Sequence, residues 1–362
     1  MAAQPSLQAS LIELGWNNHF IQQLSLDEWD DCMPVRVIEQ HRSELVVSTE
    51  GESFTIPSPT QLDTPLTVGD WLLLNQDKSF NRLLDRTSSF KRKAAGGQSK
   101  TQLIAANVDT LFIVSSMNND FNLNRIERYL VLANDAGVEP VVVLTKADLC
   151  DDETAQNYIS TAQSLDPYLM IVSVNALDQQ ALSQFSAWCR PGKTLALLGS
   201  SGVGKSTLAN LLVGEETLLT GGIRKDDSKG RHTTTARSLH LIPKSDELAG
   251  GLLLDTPGMR ELQLTDVEEG IEETFQDVMA FAERCKFADC THESDLPSSS
   301  GCAVQAAIES GELQARRLIS FQKLQREDAM NSATLAERRE KDKKFGKMVK
   351  SVMGESKKFK GR

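Results

Sequence analysis

The sequence of 362 residues contains no apolar run long enough to cross a bilayer, since a membrane-spanning helix needs about 20 consecutive apolar residues. Its first ten residues, MAAQPSLQAS, lack the basic start and apolar stretch of a secretory signal. Six cysteines are too few for a disulfide scaffold in a chain of this length. We therefore expect a cytoplasmic protein, a monomer without membrane contact.

The charge of the chain is unevenly distributed. Its formal net charge is −11, but residues 338–362 carry 11 basic and 3 acidic side chains, a net of +8, which leaves −19 on residues 1–337. A basic tail on an acidic body indicates either a local phosphate-seeking element or a solvated tail that maintains solubility. The charge pattern alone leaves both interpretations open.

In the first half of the sequence, the predicted secondary structure changes from short strands to alternating strands and helices. Short runs punctuated by glycine and proline between residues 33 and 90 predict a small β-barrel. From Val108 onward, continuous apolar strands such as residues 111–114 and 141–144 alternate with predicted helices, one of them over residues 178–188. Such alternation predicts an α/β fold with a mostly parallel sheet covered on both faces.

The last third is predicted to be helical, with helices over residues 268–283, 303–310 and 312–326. The composition shifts divide the chain into five regions. These are an N-terminal extension (1–32), a barrel (33–100), an α/β domain (101–265), a helical domain (266–330) and a basic tail (331–362).

A phosphate-binding loop lies between a predicted strand and a predicted helix. The loop residues are Gly199, Ser200, Ser201, Gly202, Val203, Gly204, Lys205, Ser206 and Thr207. They fit the pattern GxxxxGK[ST], in which glycines let consecutive backbone N–H groups face phosphate oxygens. Lys205 is expected to reach the β- and γ-phosphates, and the Ser206 hydroxyl is expected to bind Mg²⁺.

Two further segments complete a nucleotide site that responds to the γ-phosphate. Asp255 ends a predicted strand and is followed by Thr-Pro-Gly, which predicts a second Mg²⁺ ligand and a γ-phosphate contact from the Gly258 amide. Between the two motifs lies GRHTTT, a polar loop suited to sensing the γ-phosphate. Either Thr234 or Thr235 is the expected Mg²⁺ ligand, and the sequence does not decide between them.

Guanine selectivity is indicated by Thr145, Lys146 and Asp148, which follow a buried strand. An Asp carboxylate can accept two hydrogen bonds from guanine, whereas adenine offers no such pair of donors. The next strand is followed by residues placed to close the other side of the base. These are Ser173, Asn175 and Ala176.

The motifs occur in rotated order, with the guanine-reading segments before the phosphate loop. With a barrel in front and a Cys/His cluster behind, the sequence resembles the circularly permuted ribosome small-subunit-dependent GTPase A family (RsgA, also called YjeQ), over roughly residues 33–325. The resemblance implies an OB-type barrel, a permuted GTPase domain, a zinc-containing C-terminal domain and a role in late maturation of the small ribosomal subunit. It also implies GTPase stimulation by that subunit.

Two residues depart from common GTPase motifs. Thr145 stands where Asn is usual, and its hydroxyl makes fewer hydrogen bonds than an amide. Met259 stands where many GTPases have a Gln that orients the attacking water, so we expect slow intrinsic hydrolysis. His232 is the candidate that supplies this function, a role to which the resemblance also points; the alternative is that His232 only shapes its loop.

The clustered cysteines predict a structural zinc site. Cys285, Cys290, His292 and Cys302 offer three thiolates and one imidazole, a closed tetrahedral set. The resemblance implies a shorter gap between the histidine and the last cysteine than the one here. The alternative is a set of reduced cysteines without metal.

Basic residues in and after the barrel are candidates for rRNA contact. They are Arg82, Arg86, Lys91, Arg92 and Lys93. The alternative is a solvated basic loop. The resemblance and the basic tail favour a face that binds the rRNA of the small subunit.

Two other functions compete with a ribosome-coupled GTPase switch. Met259 and Thr145 also suit a non-catalytic assembly placeholder, for which GTP or GDP is structural. A metabolic P-loop kinase is disfavoured because Asp148 reads guanine and no acceptor site is visible.

Overall fold

The computed structural model describes residues 7–59, 62, 64–93, 101–214, 237–255, 264–293 and 301–332. The strands are β1 (Cys32–Gln40), β2 (Glu44–Ser48), β3 (Ser53–Pro57), β4 (Trp71–Asn75), β5 (Phe80–Leu83), β6 (Ser89–Lys93), β7 (Thr101–Ala106), β8 (Thr110–Ser116), β9 (Glu139–Thr145), β10 (Met170–Val174), β11 (Thr194–Gly199), β12 (Arg237–Ile242) and β13 (Gly251–Asp255). The α-helices are α1 (Asn18–Ile21), α2 (Leu26–Asp31), α3 (Leu123–Asp135), α4 (Asp152–Gln163), α5 (Lys205–Val213), α6 (Glu268–Thr274), α7 (Gln276–Ala282), α8 (Ala303–Ser310) and α9 (Ala315–Ser332).

The chain forms two compact units. The first comprises Met1–Lys91, Leu103–Leu262 and Glu269–Gln276, and the second comprises Arg92–Gln102, Gln263–Glu268 and Asp277–Arg362. Among the described residues, no helix has the length and apolar character needed to span a membrane.

A continuous sheet organises the first unit, in the order β10-β9-β8-β11-β13-β12-β1-β2-β3, with β4 joining β1 to β5. The strands from β10 to β13 in this order pair in parallel, and β12 then pairs with β13 in the antiparallel direction. The predicted α/β class is therefore confirmed. The barrel strands β1–β5 extend the same sheet, because β1 pairs with β12.

The parallel part is apolar on both faces, as its uninterrupted hydrophobic strands predict. Every residue of β8 is buried, and Phe112 within it packs against Phe185 with ring centroids 5.5 Å apart. Phe185 belongs to the segment predicted as an α-helix over residues 178–188, which forms a 3₁₀-helix at Gln179–Phe185 instead. The Asp178 carboxylate accepts a hydrogen bond from the amide of Gln180 and caps the start of this 3₁₀-helix.

The barrel strands surround a core of their own. The alternate residues Val35, Val37, Leu45, Val47 and Leu72 are fully buried, because successive side chains of a strand point to opposite faces. Five antiparallel strands around one core match the partly open barrel of an OB-fold. The sequence therefore predicted this part of the fold correctly.

The N-terminal segment, to which the sequence assigned no role, covers the other face of β4. The ring of Trp71 lies 4.9 Å from that of Trp16 and 5.6 Å from that of Phe20, centroid to centroid. Leu14 in this segment is fully buried. Burial of these large side chains contributes about 1.5–3 kcal/mol each, so the segment is an integral layer of the first unit.

Arg36 lies at the junction of these layers with 1% of its surface exposed. Its guanidinium donates to the carbonyl oxygens of Leu14 at 2.5 Å, Asn107 at 3.0 Å and Gly69 at 3.3 Å. Burial lowers the pKa of Arg36 to about 10, so the side chain stays charged at neutral pH. One buried cation thus connects the N-terminal segment, the barrel and the chain that leads into β8.

The helices of the C-terminal part follow the sequence prediction in part. Helix α8 has the predicted bounds, but the helix predicted over residues 268–283 is divided into α6 and α7 on either side of the buried Phe275. Helix α9 begins three residues later than predicted, because Gly311 adopts a left-handed φ of 81° and ends α8 with a turn. Arg317 of α9 pairs with Asp277 at 2.6 Å.

We expect Arg36→Ala to lower the free energy of unfolding by about 3 kcal/mol or more, because it opens a cavity and leaves buried carbonyl groups without a donor. Arg36→Met fills most of the space and should lose less. Urea unfolding measures both, with the exposed Arg42→Ala as control, expected within about 0.5 kcal/mol of wild type. An Arg36→Ala protein as stable as that control would refute a structural role for the buried cation.

Candidate nucleotide site and Cys/His cluster

The carboxyl ends of five parallel strands meet at one edge of the sheet. Gly199 at the end of β11 is aligned with Val114 of β8, and Thr145 at the end of β9 is aligned with Val174 of β10. Asp255 ends β13, the other neighbour of β11. Ligands of open α/β sheets bind at this edge, so the fold brings the predicted phosphate and guanine segments together.

The phosphate loop runs from β11 into α5. Gly202 and Gly204 have left-handed φ values of 80° and 93°, a conformation that glycine adopts without strain. A Cβ at Gly199 would lie 2.3 Å from the carbonyl oxygen of Val114, so a larger residue there would push β11 away from β8. Val203 is buried with 1% exposure and fixes the loop to the core.

Lys205 opens α5 and folds its side chain back over the loop. Its ammonium donates to the carbonyl oxygens of Gly199, at 2.8 Å, and of Ser200. Ser206 is exposed and Thr207 is half-buried on the first turn of the same helix. The helix N-terminus and the ammonium thus place positive charge at the loop, where phosphate oxygens would be stabilised.

The guanine motif is hydrogen-bonded directly to the phosphate loop. Thr145 is buried, and its hydroxyl lies 2.6 Å from the carbonyl oxygen of Val203 and 3.2 Å from that of Ser115. Lys146 has a left-handed φ of 62°, and its ammonium donates to the carbonyl oxygen of Gly202 at 2.8 Å. The sequence suggested a cost for threonine at position 145, but the structure gives its hydroxyl a connecting role that the motif alone did not reveal.

The residues expected around the base lie on both sides of this connection. Asp148 is exposed in the 3₁₀ turn Ala147–Leu149 that follows β9. After β10, the Asn175 side-chain oxygen accepts a hydrogen bond from the amide of Leu177 at 3.0 Å, and Ala176 is buried. Ser173, predicted to follow this strand, lies within β10, and its hydroxyl is 3.9 Å from the sulfur of Met117.

Asp255 is exposed at the end of β13, as expected for a residue that faces a ligand. Other predicted site residues lie outside the described residues. They are His232, Thr234, Thr235 and Gly258, together with Met259.

Two of the arginines proposed for RNA contact are engaged within the first unit. Arg82 pairs with Glu28 at 2.5 Å, and Arg86 pairs with Asp70 at 2.6 Å. Asp70 is fully buried, and burial raises its pKa although the hydrogen bond from Arg86 opposes that shift. Neither guanidinium therefore projects freely into water. The sequence alone did not reveal these two ion pairs.

The other basic candidates lie on β6. Lys91 is exposed, and Arg92 donates to the side-chain oxygen of Gln102 at 3.1 Å. The side chain of Lys93 lies outside the described residues. Among the predicted RNA-facing side chains that the structure describes, Lys91 is the most accessible.

Cys285, Cys290, His292 and Cys302 form one cluster in the second unit, with ligand atoms all within 4.8 Å of one another. The Cys302 sulfur lies 3.9 Å from the Cys285 sulfur and 3.4 Å from His292 Nδ1. Tetrahedral zinc with its usual bond lengths requires about 3.8 Å between two sulfurs and about 3.6 Å between sulfur and nitrogen. The cluster therefore fits a zinc ion, and Cys302 belongs to it despite the long gap that precedes it.

Helix α8 stabilises the cluster from its N-terminus. Burial by itself would raise the pKa of the Cys285 thiol, but hydrogen bonds from the Val304 and Ala303 amides bring it below its ordinary value. The Gln305 amide lies 3.4 Å from the Cys302 sulfur. Burial also lowers the pKa of His292, which favours the neutral imidazole that binds metal.

The family model of RsgA GTPase matches residues 83–265, about half of the chain. This chain belongs to the RsgA GTPase family, and it is therefore a GTP-hydrolysing enzyme. It is 54% identical over 348 residues to "Small ribosomal subunit biogenesis GTPase RsgA 2" of Vibrio parahaemolyticus, covering 96% of this chain and 94% of that protein. It is 45% identical to the RsgA of Mesorhizobium japonicum, covering 89% and 91%.

Solved structures show the same permuted fold. YjeQ from Thermotoga maritima matches with a TM-score of 0.57 at 24% identity, covering 81% of this chain and 97% of that chain. YloQ, described as a circularly permuted GTPase, matches with a TM-score of 0.59 at 22% identity, covering 83% and 96%. The predicted family and the predicted rotated motif order are confirmed.

We expect Thr145→Val to lower the free energy of unfolding by about 1–3 kcal/mol, because it leaves the buried carbonyl of Val203 without its donor. Affinity for GDP should fall as well, since the guanine motif loses a connection to the phosphate loop. Chemical denaturation and fluorescent-GDP titration measure the two effects. Thr145→Ser keeps the hydroxyl and should retain most of both; equal losses in the two variants would contradict the role of the hydrogen bond.

Proposed function

We propose that this GTPase acts in late assembly of the small ribosomal subunit, binding the subunit and its rRNA with GTP and leaving on hydrolysis. The observation that supports GTP binding is the direct connection within the nucleotide site. The guanine motif is hydrogen-bonded to the phosphate loop through Thr145 and Lys146. Near-full-length similarity to a protein named as a small-subunit biogenesis GTPase supports the assembly role. Such a role would place the chain in the cytoplasm, and we propose that it acts there as a monomer.

The chain's own residues divide the work at the nucleotide. Asp148 selects guanine, Lys205 neutralises the β- and γ-phosphates, and Ser206 and Asp255 hold the magnesium ion. The exposed hydroxyl and carboxylate at one sheet edge are the hard oxygen donors that magnesium prefers. When bound, magnesium neutralises charge that develops on the phosphate oxygens.

Orientation of the attacking water is assigned to His232, with Thr234 or Thr235 completing the magnesium shell. Met259 supports this assignment, since a thioether cannot orient water as glutamine does. Slow turnover without the subunit follows from that substitution. The subunit would then raise the rate by stabilising the productive arrangement.

The rRNA contact is assigned to Lys91 and to the basic tail, residues 338–362. Lys91 is exposed, whereas Arg82 and Arg86 support the barrel through their ion pairs. A tail with a net charge of +8 on an otherwise acidic chain suits phosphate contact without sequence readout.

Zinc is proposed as a structural ion in the second unit. Four soft ligands without an open position hold zinc but offer no place for a substrate. The ion would stabilise the segment around the four ligands, since the described residues 285–293 include no buried apolar side chain.

We expect GTP hydrolysis by the purified protein to be slow alone and strongly stimulated by small ribosomal subunits at low salt, with ATP inert. Lys205→Ala should lower the stimulated rate by about 100-fold or more, because it removes charge stabilisation from the phosphates. Lys193→Ala is the matched control, since Lys193 precedes the opposite end of β11 and pairs with Asp109 at 2.7 Å.

The result that would overturn a GTPase switch is the absence of stimulation combined with tight GTP binding. If Lys205→Ala also kept its function in subunit assembly, GTP would serve as a structural ligand in that function and hydrolysis would not be required for it.

We expect about one zinc ion per purified chain, measured by elemental analysis after dialysis. Cys285→Ser should lower the zinc content and make residues 264–332 sensitive to protease, because thiolate ligands are lost. Cys32→Ser, in the first unit, is the control and should retain the ion. A zinc-free wild-type protein with the same protease resistance would contradict the assignment.

A further inference from the structure

Strand β12 lies between the barrel strand β1 and strand β13. Its residue Ser238 is directly opposite Glu39 of β1 on one side and Asp255 of β13 on the other. Directly opposite residues of antiparallel strands project to the same face, with Cβ atoms about 5 Å apart. The placement of β12 therefore determines what lies beside Asp255, the proposed magnesium ligand.

The first residue of β12, Arg237, is anchored to β7, to β1 and to the segment before β4. Its guanidinium Nη1 donates to the carbonyl oxygen of Leu103 on β7 at 2.8 Å. The same nitrogen lies 3.4 Å from the side-chain oxygens of Gln40 on β1 and Thr67 before β4. One half-buried side chain thus connects three segments to the start of β12.

The groups that contact Arg237 make further hydrogen bonds of their own or through their backbone. The Gln40 side-chain amide donates to the carbonyl oxygen of Leu66 at 2.8 Å, and the Thr67 amide donates to the Asp70 carboxylate at 2.8 Å. Asp70 in turn pairs with Arg86, in the segment that leads to β6. A continuous set of polar contacts therefore runs from the barrel segment before the exposed Lys91 to the start of β12.

The backbone ladder at this junction is short. In the part of the chain that the structure describes, β1 and β12 share two residue pairs, whereas β12 and β13 share five. Strand β12 is accordingly bound firmly to the nucleotide side and by few backbone pairs to the barrel side. The side chain of Arg237 adds contacts with Gln40 and Thr67 to these two backbone pairs.

We propose that Arg237 is a positioning residue that couples the barrel to the nucleotide site, so that binding of the small subunit to the barrel adjusts the surroundings of Asp255 and accelerates hydrolysis. The inference rests on the proposed function, because it assumes stimulation by the subunit. It assigns the coupling to a residue whose guanidinium contacts β7, β1 and the segment before β4.

The test compares hydrolysis with and without small subunits for wild type and Arg237→Ala. Stimulation should fall by between about twofold and thirtyfold in the variant, the range over which coupling residues act. Fluorescent-GDP affinity and subunit binding, measured by cosedimentation, should change by a smaller factor. Arg237→Lys keeps a donor for Leu103 and should recover part of the stimulation.

Two further variants separate coupling from stability. Lys244→Ala removes an ion pair with Glu13 (2.6 Å) beyond the other end of β12 and should be stimulated like wild type. Gln40→Ala should add little to Arg237→Ala, because side chains that act through one contact are not additive.

The outcomes distinguish this inference from the function on which it rests. If wild type is stimulated and Arg237→Ala is stimulated equally, Arg237 does not couple the two sites. If stimulation falls only in proportion to GDP affinity, Arg237 has a structural role alone and the inference is also overturned. If wild type itself is not stimulated, the proposed function fails and the inference fails with it.

Discussion

The buried guanidinium of Arg36 is the interaction on which the arrangement of the first unit depends. A charge removed from water is costly unless it is hydrogen-bonded or paired, and here carbonyl groups of Leu14, Gly69 and Asn107 accept hydrogen bonds from the guanidinium. These acceptors come from three distant parts of the sequence, so the cation is satisfied only when all three are in place. Arg36 lies on β1, the strand that also pairs with β2, β4 and β12. The same constraint therefore fixes the barrel and the edge at which it joins the α/β sheet.

The fold was predictable where one physical signal dominated. Uninterrupted apolar strands such as β8 and β9 predicted a parallel sheet, and short runs punctuated by glycine and proline predicted a small β-barrel. Residues 178–188 were predicted as a helix, but apolar spacing over so short a segment does not distinguish an α-helix from the 3₁₀-helix that forms at Gln179–Phe185. The N-terminal segment could not be placed from sequence, since packing of Trp16 and Phe20 on Trp71 depends on contacts distant in the chain.

The candidate site was predictable to the extent that backbone geometry dictates its sequence. Glycine at position 199 reflects the close approach of the β8 backbone, and glycine at positions 202 and 204 reflects a left-handed backbone. Both requirements favour glycine and so are visible in the sequence. The connection from Thr145 to Val203 was not predictable, because a single hydroxyl has no motif of its own. Charge was the least reliable signal: Arg82 and Arg86 looked like RNA contacts, yet each is paired with a carboxylate that sequence spacing does not reveal.

The rotated order of the motifs leaves the nucleotide site intact but changes which part of the chain leads into it. In a parallel sheet, the order of strands in space determines which carboxyl ends meet, and the order along the chain does not. Strands β9 and β10 can therefore precede β11 without disturbing the connections from Thr145 and Lys146 to the phosphate loop. The barrel precedes the guanine motif along the chain, yet its strand β1 pairs with β12, the neighbour of β13. Strand β1 of the barrel is thus separated by β12 alone from β13, the strand that ends at Asp255.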